Sequence, residues 1–206
     1  MDISFIVLAG GKSIRLGRNK VNEIIGDKSL LQWVISGISC FNTEIIIVTA
    51  KKGPVPANIN NPEVRTTGDI YPESGSLGGI YSGMVVSKSC YNFVVGCDMP
   101  FLNRDFLHYM MEIAYGFDLV LPRLGNIVEP LHAIYHKNCL VHMENLLKQG
   151  ELQILKFFHQ VKVRYVEEDE IDRFDPSHLT FFNVNTEDDL RKAKEILARG
   201  DSGVKC

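Results

Sequence analysis

The chain has 206 residues, 45% of them hydrophobic, and a formal net charge of −3 at pH 7. This length and composition suffice for one domain with a real hydrophobic core, and the charge excludes the broad positive field that nucleic-acid binding needs. The apolar runs are of strand length, far shorter than a membrane span, and the first residues carry no basic signal-peptide region. We therefore expect no nucleic-acid partner, no membrane association and no export.

The cysteines are widely spaced, and no C-x-x-C pair occurs. This pattern gives little support to a zinc site and favours reduced, mostly buried thiols, so we expect a cytoplasmic protein. The five cysteines are Cys40, Cys90, Cys97, Cys139 and Cys206.

Strand and helix patterns alternate along the chain. The apolar run at residues 3–8 predicts a first strand covered on both faces, and apolar residues at helical spacing predict a helix from Ser29 to Phe41. Asn103 and Thr186 are the predicted N-caps of two later helices. The other predicted strands are 45–49, 64–67, 93–96, 119–121, 131–135 and 161–166, the other predicted helices are 77–88, 140–147 and 152–159, and 51–62 is a predicted loop.

This order of elements predicts a single Rossmann-like α/β domain with a mainly parallel central sheet and helices on both faces. No repeat, low-complexity segment or linker divides the chain, so we expect one domain over residues 1–200 and a frayed, disordered tail at 201–206. In such sheets ligands bind beyond the carboxyl ends of the strands. The loops that leave those ends are therefore the candidate functional segments.

The first of these loops combines glycines with cations. The sequence from Val7 to Lys20 is VLAGGKSIRLGRNK. Its glycines let backbone N–H groups approach an anion closely, Arg15 can contact two phosphate oxygens at once, and Lys20 supplies a point charge. A surface loop with solvated charges is the alternative, but the full spacing after an apolar strand favours phosphate binding.

Two common phosphate loops do not fit this sequence. A Walker A motif needs four residues between its glycines and then Gly-Lys-Ser/Thr, whereas Gly11 and Gly17 enclose five residues and Arg18 stands where lysine should be. The dinucleotide pattern G-x-G-x-x-G fails because Gly10 and Gly11 are adjacent and no third glycine falls in register. The loop must therefore belong to another class.

A carboxylate follows the predicted strand at 93–96. Asp98 lies in the segment GCDMP at residues 96–100 and is expected to face the same crevice as the first loop. One or two carboxylates, phosphate oxygens and water are the usual ligands of Mg²⁺. A turn that Asp98 opens and Pro100 fixes is the alternative, but beside a phosphate loop we favour metal binding.

A third segment, GDIYPESGSLGGI at residues 68–80, carries four glycines around a helix start. That concentration indicates a close approach of the backbone to something flat or charged. A flexible connection is the alternative.

The pattern L-A-G-G-x-S-x-R-x-G-x-x-K in the first loop, together with C-D-x-P around Asp98, resembles nucleotidyltransferases and most closely the molybdenum cofactor guanylyltransferases. The resemblance runs from Ile6 to Leu190, with the motifs in the expected order. It implies that Arg15, Lys20 and Asp98 are catalytic and that Asp98 binds the metal. The implied nucleotide-binding residues are Leu8, Ala9, Gly10, Gly11, Lys20, Asp69, Gly75, Gly79 and Asp98.

Two later segments, EPLHAIY at 129–135 and FNVNTEDDL at 182–190, resemble the family's acceptor-binding regions. For His132 a buried structural histidine is an equal alternative, and the two asparagines of the second segment are predicted to alternate on a strand. Ser76 and Glu187 depart from the family pattern, which has proline at both positions, and affect only a turn and a helix entry. The implied acceptor-binding residues are Glu129, Pro130, His132, Asn183 and Asn185.

The resemblance implies transfer of GMP from GTP to the terminal phosphate of molybdenum-loaded molybdopterin, with release of pyrophosphate and with Mg²⁺ as the metal. A phosphate monoester is already largely dianionic near neutral pH, so the reaction needs no general base. Catalysis would consist of positioning and charge neutralisation. The implied partners are GTP and molybdopterin, with transient contact to proteins that make or receive the cofactor.

Two other functions stay open at this stage. Cytidylyl relatives commonly carry Ala-Ala-Gly, and the missing methyl at Gly10 would leave room for a purine. A cytidylyltransferase, or another nucleotidyltransferase acting on a pterin, sugar-phosphate or phospholactate acceptor, is nevertheless the main alternative. A nucleotide-binding regulatory module without turnover is the other, although Lys20 and Asp98 are both present.

Overall fold

The computed structural model of the chain describes residues 2–10, 23–50, 59 and 61–200. Within them lie ten strands, numbered β1 to β10 in chain order, of which eight form one sheet and β2 and β3 form a separate hairpin. The ten strands are Ile3–Leu8, Ile24–Ile25, Lys28–Ser29, Ile45–Thr49, Val64–Gly68, Tyr91–Gly96, Leu119–Leu124, Ile127–Val128, His132–His136 and Val163–Glu167.

The strand order across the large sheet is β10-β7-β9-β6-β1-β4-β5, and β8 pairs with β7 beside this path. The strands β5, β4, β1 and β6 run parallel to one another, and β10 runs parallel to β7. The predicted mainly parallel sheet is therefore confirmed. Two strands are reversed, because β9 runs antiparallel to both β6 and β7, and the short β8 runs antiparallel to β7. Since β9 begins where its neighbours end, the residues just before His132 lie at the carboxyl edge of the sheet.

Six α-helices, numbered α1 to α6, and three 3₁₀ helices complete the described part of the chain. The prediction of an α-helix at 152–159 is wrong, because these residues form mainly a 3₁₀ helix. The hairpin of β2 and β3, strand β8 and helix α5 were not predicted, since two to four residues carry no measurable periodicity. The α-helices are Leu30–Ile38, Gly75–Val86, Arg104–Ile113, Cys139–Lys148, Glu168–Ile171 and Glu187–Arg199, and the 3₁₀ helices are Ser39–Phe41, Ile154–Gln160 and Leu179–Phe181.

Helices cover both faces of the sheet, as predicted. Side chains alternate along β1, so that Phe5 and Val7 join one apolar cluster with α1 and α3. Ile6 and Leu8 join the opposite cluster with α2 and α4. This alternation buries the whole first strand and fixes the position of the loop that follows it.

A third, smaller apolar cluster ties α6 to the hairpin of β2 and β3. Ile25, Phe101, Val184 and Leu190 meet in it, and all four are buried. Phe101 follows the turn that contains Asp98. The cluster therefore holds the hairpin, the Asp98 turn and the segment before α6 in fixed relative positions.

Two predicted helix caps are confirmed. Asn103 accepts a hydrogen bond from the N–H of Phe106 at 2.9 Å, and Thr186 forms a reciprocal capping box with Asp189 at the start of α6. Such caps satisfy N–H groups that have no partner inside the helix.

The thiol prediction is half correct. Cys97 and Cys139 are buried but Cys40 and Cys90 are exposed, and these four, the described cysteines, form no disulfide. No helix in the described residues is long and apolar enough to cross a membrane. Most of the predicted loop at 51–62, Cys206 and the rest of the predicted tail lie outside the described residues.

Candidate active site

The first loop leaves the sheet at the end of β1, between β4 and β6. The N–H of Ala9 donates to the Val48 carbonyl at 2.8 Å, and the N–H of Cys97 donates to the Leu8 carbonyl at 3.1 Å. These bonds bring the β1 end and the segment after β6 together at the carboxyl edge. The remaining residues predicted to bind phosphate in this loop lie outside the described residues and are Gly11, Arg15 and Lys20.

Gly10, exposed at this edge, packs closely on the end of β4. A Cβ built on it would lie 3.2 Å from the Ala50 backbone nitrogen, which is tighter than ordinary van der Waals contact. The methyl group that glycine lacks would therefore point at the β4 backbone. Packing explains the glycine without reference to the size of the base, so Gly10 does not by itself distinguish a purine from a pyrimidine.

Asp98 lies in a tight turn directly after β6, at the predicted place. The N–H of Met99 donates to the Gly96 carbonyl at 3.3 Å and folds this turn. The carboxylate bends back over Gly96, because a Cβ built on Gly96 would lie 2.5 Å from Asp98 Oδ1. Position 96 therefore needs glycine for the carboxylate to occupy this place. Gly96 is not among the predicted site residues, although it lies in the segment GCDMP at residues 96–100.

Glu129 brings a second carboxylate to Asp98. The N–H of Gly96 donates to the Leu131 carbonyl at 3.1 Å, so the segment before β9, including the half-buried Pro130, lies against the end of β6. Glu129 Oε1 accepts the N–H of Leu131 at 3.2 Å, and among the described residues Oε2 accepts no hydrogen bond. Burial and the nearby charge of Asp98 raise the pKa of Glu129. The two carboxylates are therefore close enough to repel each other in the absence of a cation.

This pair fits a hard divalent cation. Within the described residues no group of three or more His, Cys, Asp and Glu side chains is arranged to hold a metal ion. Mg²⁺ in phosphate-binding sites usually takes one or two carboxylates and completes its coordination with water and phosphate oxygens. Asp98 and Glu129 supply that donor set.

The asparagine segment lies beside the Asp98 turn. The N–H of Val184 donates to the Asp98 carbonyl at 2.9 Å, which places Asn183 and Asn185 on either side of this contact. Both asparagines are half-buried, and Asn183 Nδ2 donates to the Phe181 carbonyl at 3.1 Å. The strand predicted for the two asparagines is wrong, because residues 182–186 contain no β-strand.

His132 is a core residue. Its side chain has no exposed surface, and the ring stacks on Phe106 at 5.6 Å and meets the rings of Phe93 and Phe181 at 5.5 and 5.1 Å. Neither ring nitrogen has a hydrogen-bond partner among the described residues, and burial lowers the pKa of His132 to about 3. An enclosed neutral ring cannot touch an acceptor. The acceptor-binding prediction for His132 is therefore wrong, and the structural alternative is correct.

Asp69 forms the opposite end of the site, directly after β5. Its N–H donates to the Thr49 carbonyl at 2.9 Å. Oδ1 accepts the N–H of Tyr71 at 3.0 Å and the hydroxyl of the fully buried Ser82 at 2.9 Å. One carboxylate oxygen thus holds the turn, while the other has no hydrogen bond within the described residues and can face a ligand. Ser82 is a supporting residue that sequence reasoning missed.

The glycines of α2 mainly serve packing. A Cβ built on Gly79 would lie 3.2 Å from the Leu8 side chain, and one on Gly83 would lie 2.5 Å from Ile6. Gly79 is buried, so its predicted role as a nucleotide-binding residue is corrected to a contact between α2 and β1. Gly75, with φ +60° and no atom within 4 Å of a built Cβ, is exposed and keeps the helix start open.

The carboxyl edge therefore brings together most of the predicted site residues that the structure describes. A mainly parallel α/β sheet with a glycine after its first strand and neighbouring carboxylates at this edge is the arrangement of a nucleotidyltransferase. The residues brought together are Leu8, Ala9, Gly10, Asp69, Gly75, Asp98, Glu129, Pro130, Asn183 and Asn185.

Comparisons with known proteins narrow this class to one family. Residues 5–164 match the MobA-like NTP transferase domain. A "Probable molybdenum cofactor guanylyltransferase" of Pelotomaculum thermopropionicum is 32% identical, with 96% of this chain and 95% of that protein covered. A protein of the same name from Clostridium perfringens strain 13 is 34% identical, with 94% and 98% covered. The crystal structure of molybdopterin-guanine dinucleotide biosynthesis protein A from Archaeoglobus fulgidus matches with a TM-score of 0.78 and 27% identity, covering 95% of this chain and 99% of that one. The chain belongs to the MobA-like NTP transferase family and is a nucleotidyltransferase.

Proposed function

We propose that the protein transfers GMP from GTP to the terminal phosphate of molybdenum-loaded molybdopterin and releases pyrophosphate. The position of Asp98 carries this proposal. On one side the adjacent Cys97 bonds to the end of β1, and on the other Val184 bonds to the Asp98 carbonyl. A nucleotide at the first position and an acceptor at the second would meet at Asp98. The similarity to guanylyltransferases supports these two substrates.

On the nucleotide side, the residues of the chain bind and orient. The second carboxylate oxygen of Asp69 would accept a hydrogen bond from the nucleotide, and Gly75 leaves the start of α2 open to the ligand. Arg15 and Lys20 would hold the triphosphate by charge-assisted hydrogen bonds. These contacts fix the α-phosphate for in-line attack, so their contribution is positioning.

At the centre, Asp98 would hold Mg²⁺, with Glu129 as its neighbour. Members of this family generally use a divalent metal ion. When bound, Mg²⁺ supplies neutralisation of the negative charge on the transferred phosphate. A cation held at Asp98 would also offset the charge repulsion that adds to burial in raising the pKa of Glu129.

On the acceptor side, no residue needs to remove a proton. The acceptor phosphate is already largely dianionic near neutral pH, and His132, the histidine of the acceptor segment, is enclosed in the core. Asn183 and Asn185 flank the Asp98 turn and offer amide groups that can donate to phosphate oxygens. The site therefore only has to orient the acceptor phosphate, which is already a nucleophile without the loss of a proton.

A pyrophosphate-release assay with purified protein, Mg²⁺ and molybdenum-loaded molybdopterin tests the proposal. We expect pyrophosphate release with GTP, a rate with CTP that is at most about one tenth of the GTP rate, and no release without the acceptor. Release with neither nucleotide overturns the proposal, and GTP binding without release supports a regulatory module instead. Faster release with CTP assigns a cytidylyltransferase, an alternative we retain because packing explains Gly10.

A further inference from the structure

A groove of about 480 Å³ opens at the carboxyl edge beyond the acceptor side of the site. We call it the Arg123 groove. It lies between the hairpin of β7 and β8, strand β10 and the 3₁₀ helix at 154–160. None of the roles derived above uses it. Its walls include Arg123, Asn126, Val128, Phe158, His159 and Tyr165.

The groove lies near the candidate active site. Val128, in its wall, directly precedes Glu129, which interacts electrostatically with Asp98. The strand β7 is parallel to β6, because β9 is antiparallel to both. Arg123, near the end of β7, therefore lies at the same edge as Asp98, two strand spacings or roughly 10 Å away across the sheet. A ligand that reaches both places must be elongated.

Arg123 is held in one orientation. Its Nε donates to Glu167 Oε2 at 3.0 Å and its Nη2 to Oε1 at 2.5 Å. The guanidinium carbon also lies 4.5 Å from the centroid of the Tyr165 ring. Among the described residues Nη1 has no hydrogen-bond partner. A planar cation that is already oriented, with donors left over, loses little conformational freedom when a ligand binds.

The other walls combine apolar and polar surface in about equal parts. Phe158 and Val128 contribute apolar area, and Leu155 remains 52% exposed at the rim. Asn126 and His159 are exposed and carry hydrogen-bonding groups. Small-ligand pockets join aromatic and aliphatic wall area to polar groups that set the orientation, and both kinds of group are present here. A conjugated ring with nitrogen and oxygen atoms along its edge matches it.

We propose that the Arg123 groove binds the flat heterocyclic end of the acceptor while the acceptor's phosphate lies at Asp98. This inference rests on the proposed function, because it takes the acceptor to be a phosphate ester of a pterin-class ring. The ring lies against Phe158 and the Arg123–Tyr165 pair, and Asn126 and Arg123 Nη1 donate to its edge. The groove thereby distinguishes this acceptor from sugar-phosphate acceptors, which have no aromatic face.

Fluorescence titration with pterin-6-carboxylic acid, a fluorescent pterin, tests ring binding without turnover. We expect saturable quenching with the full-length wild-type protein and a Kd raised roughly tenfold by Tyr165→Leu and by Arg123→Met. Tyr115→Leu is the matched control, because Tyr115 is 84% exposed and lies outside the groove. Unchanged thermal unfolding of the variants verifies folding. Absence of saturable quenching by the wild-type protein, or equal Kd values for all proteins, overturns the proposal.

Steady-state kinetics separates this inference from the proposed function. Both groove variants should raise KM for molybdopterin roughly tenfold and leave KM for GTP unchanged. If the wild-type protein transfers GMP but the groove variants keep the wild-type KM for the acceptor, the groove assignment is wrong and the proposed function stands. If the protein transfers no GMP yet the variants weaken pterin binding, the proposed function is wrong and the groove remains a ring-binding site.

Discussion

The two halves of the carboxyl edge differ in what they are built from. On the nucleotide side, formed by β1, β4, β5 and α2, backbone hydrogen bonds and glycine contacts set the geometry, as between Asp69 and Thr49 and at Gly83. On the acceptor side, formed by β6, β9, β7 and β10, side chains do so, above all Asp98 and Glu129. The comparison indicates that substitutions on the nucleotide side act mainly through packing, and those on the acceptor side through charge.

Asp98→Asn tests this difference with the largest expected effect. The substitution keeps the shape of the side chain but removes the charge that would hold the metal, so turnover should fall roughly a thousandfold. GTP binding measured without Mg²⁺ should stay the same or tighten, because a carboxylate near phosphates is lost. Asp105→Asn, at an exposed carboxylate in the first turn of α3, should retain turnover. Near-normal turnover of Asp98→Asn would show that the central charge is dispensable.

The sequence predicted the first strand of the nucleotide side well because its signals are local. An apolar strand followed at once by glycines can be recognised within a few residues, and β1 begins and ends as expected. The meaning of the glycines was less certain, since Gly79 and Gly83 are explained by the side chains of Leu8 and Ile6 beneath them. Such contacts join segments about 70 residues apart in the sequence, and a single sequence does not reveal them.

The acceptor side could be predicted only in part, because its geometry depends on the direction of β9. An antiparallel β9 places Glu129 next to Asp98, whereas a parallel one would have placed it at the opposite edge. No local pattern at 129–135 specifies that direction. The same register carries His132 into the core opposite Val95, a position that the sequence alone does not decide.

His132→Leu tests whether the interior of the acceptor side is sensitive to acid. Burial lowers the pKa of His132 from 6.5 to about 3, so the unfolded chain binds the proton more tightly than the folded one. The stability that the neutral His132 ring contributes to the folded protein is fully present above 6.5, the pKa of this histidine in the unfolded chain, and is lost as the pH falls towards 3. Relative to the leucine variant, the wild-type protein should lose about 2 kcal/mol of unfolding free energy between about pH 7.5 and about pH 5.

Urea denaturation at the two pH values measures this difference, and any constant cost of the substitution cancels in the comparison. His108→Leu is the control, because the His108 side chain is 64% exposed and its removal should leave the pH dependence unchanged. Parallel pH dependence of the wild-type protein and His132→Leu would mean that the ring is not held neutral by the core.

Gly83→Ala tests the packing of the nucleotide side. The added methyl group would lie 2.5 Å from Ile6, and crowding of this kind costs about 1–3 kcal/mol. The melting temperature should therefore fall by roughly 3–10 °C, a shift that differential scanning calorimetry resolves. Ser76→Ala adds no bulk to the same helix and should melt near the wild-type temperature. A Gly83→Ala protein as stable as the wild type would show that α2 does not depend on this close approach.

Glu129→Gln has the smallest expected effect and tests whether Glu129 binds the metal ion or the acceptor. Glutamine keeps the length of the side chain and its Oε1 can still accept the Leu131 N–H, so the segment before β9 should hold its shape. If Glu129 shares the cation with Asp98, the Kd for Mn²⁺, titrated by electron paramagnetic resonance in the presence of GTP, should rise roughly tenfold, or about 1.4 kcal/mol. Glu112→Gln, at a side chain that is 62% exposed, should leave that Kd unchanged. An unchanged Mn²⁺ affinity with a raised KM for molybdopterin would return Glu129 to the acceptor-binding role that the sequence resemblance implies, because the residue would then contact the acceptor and not the metal.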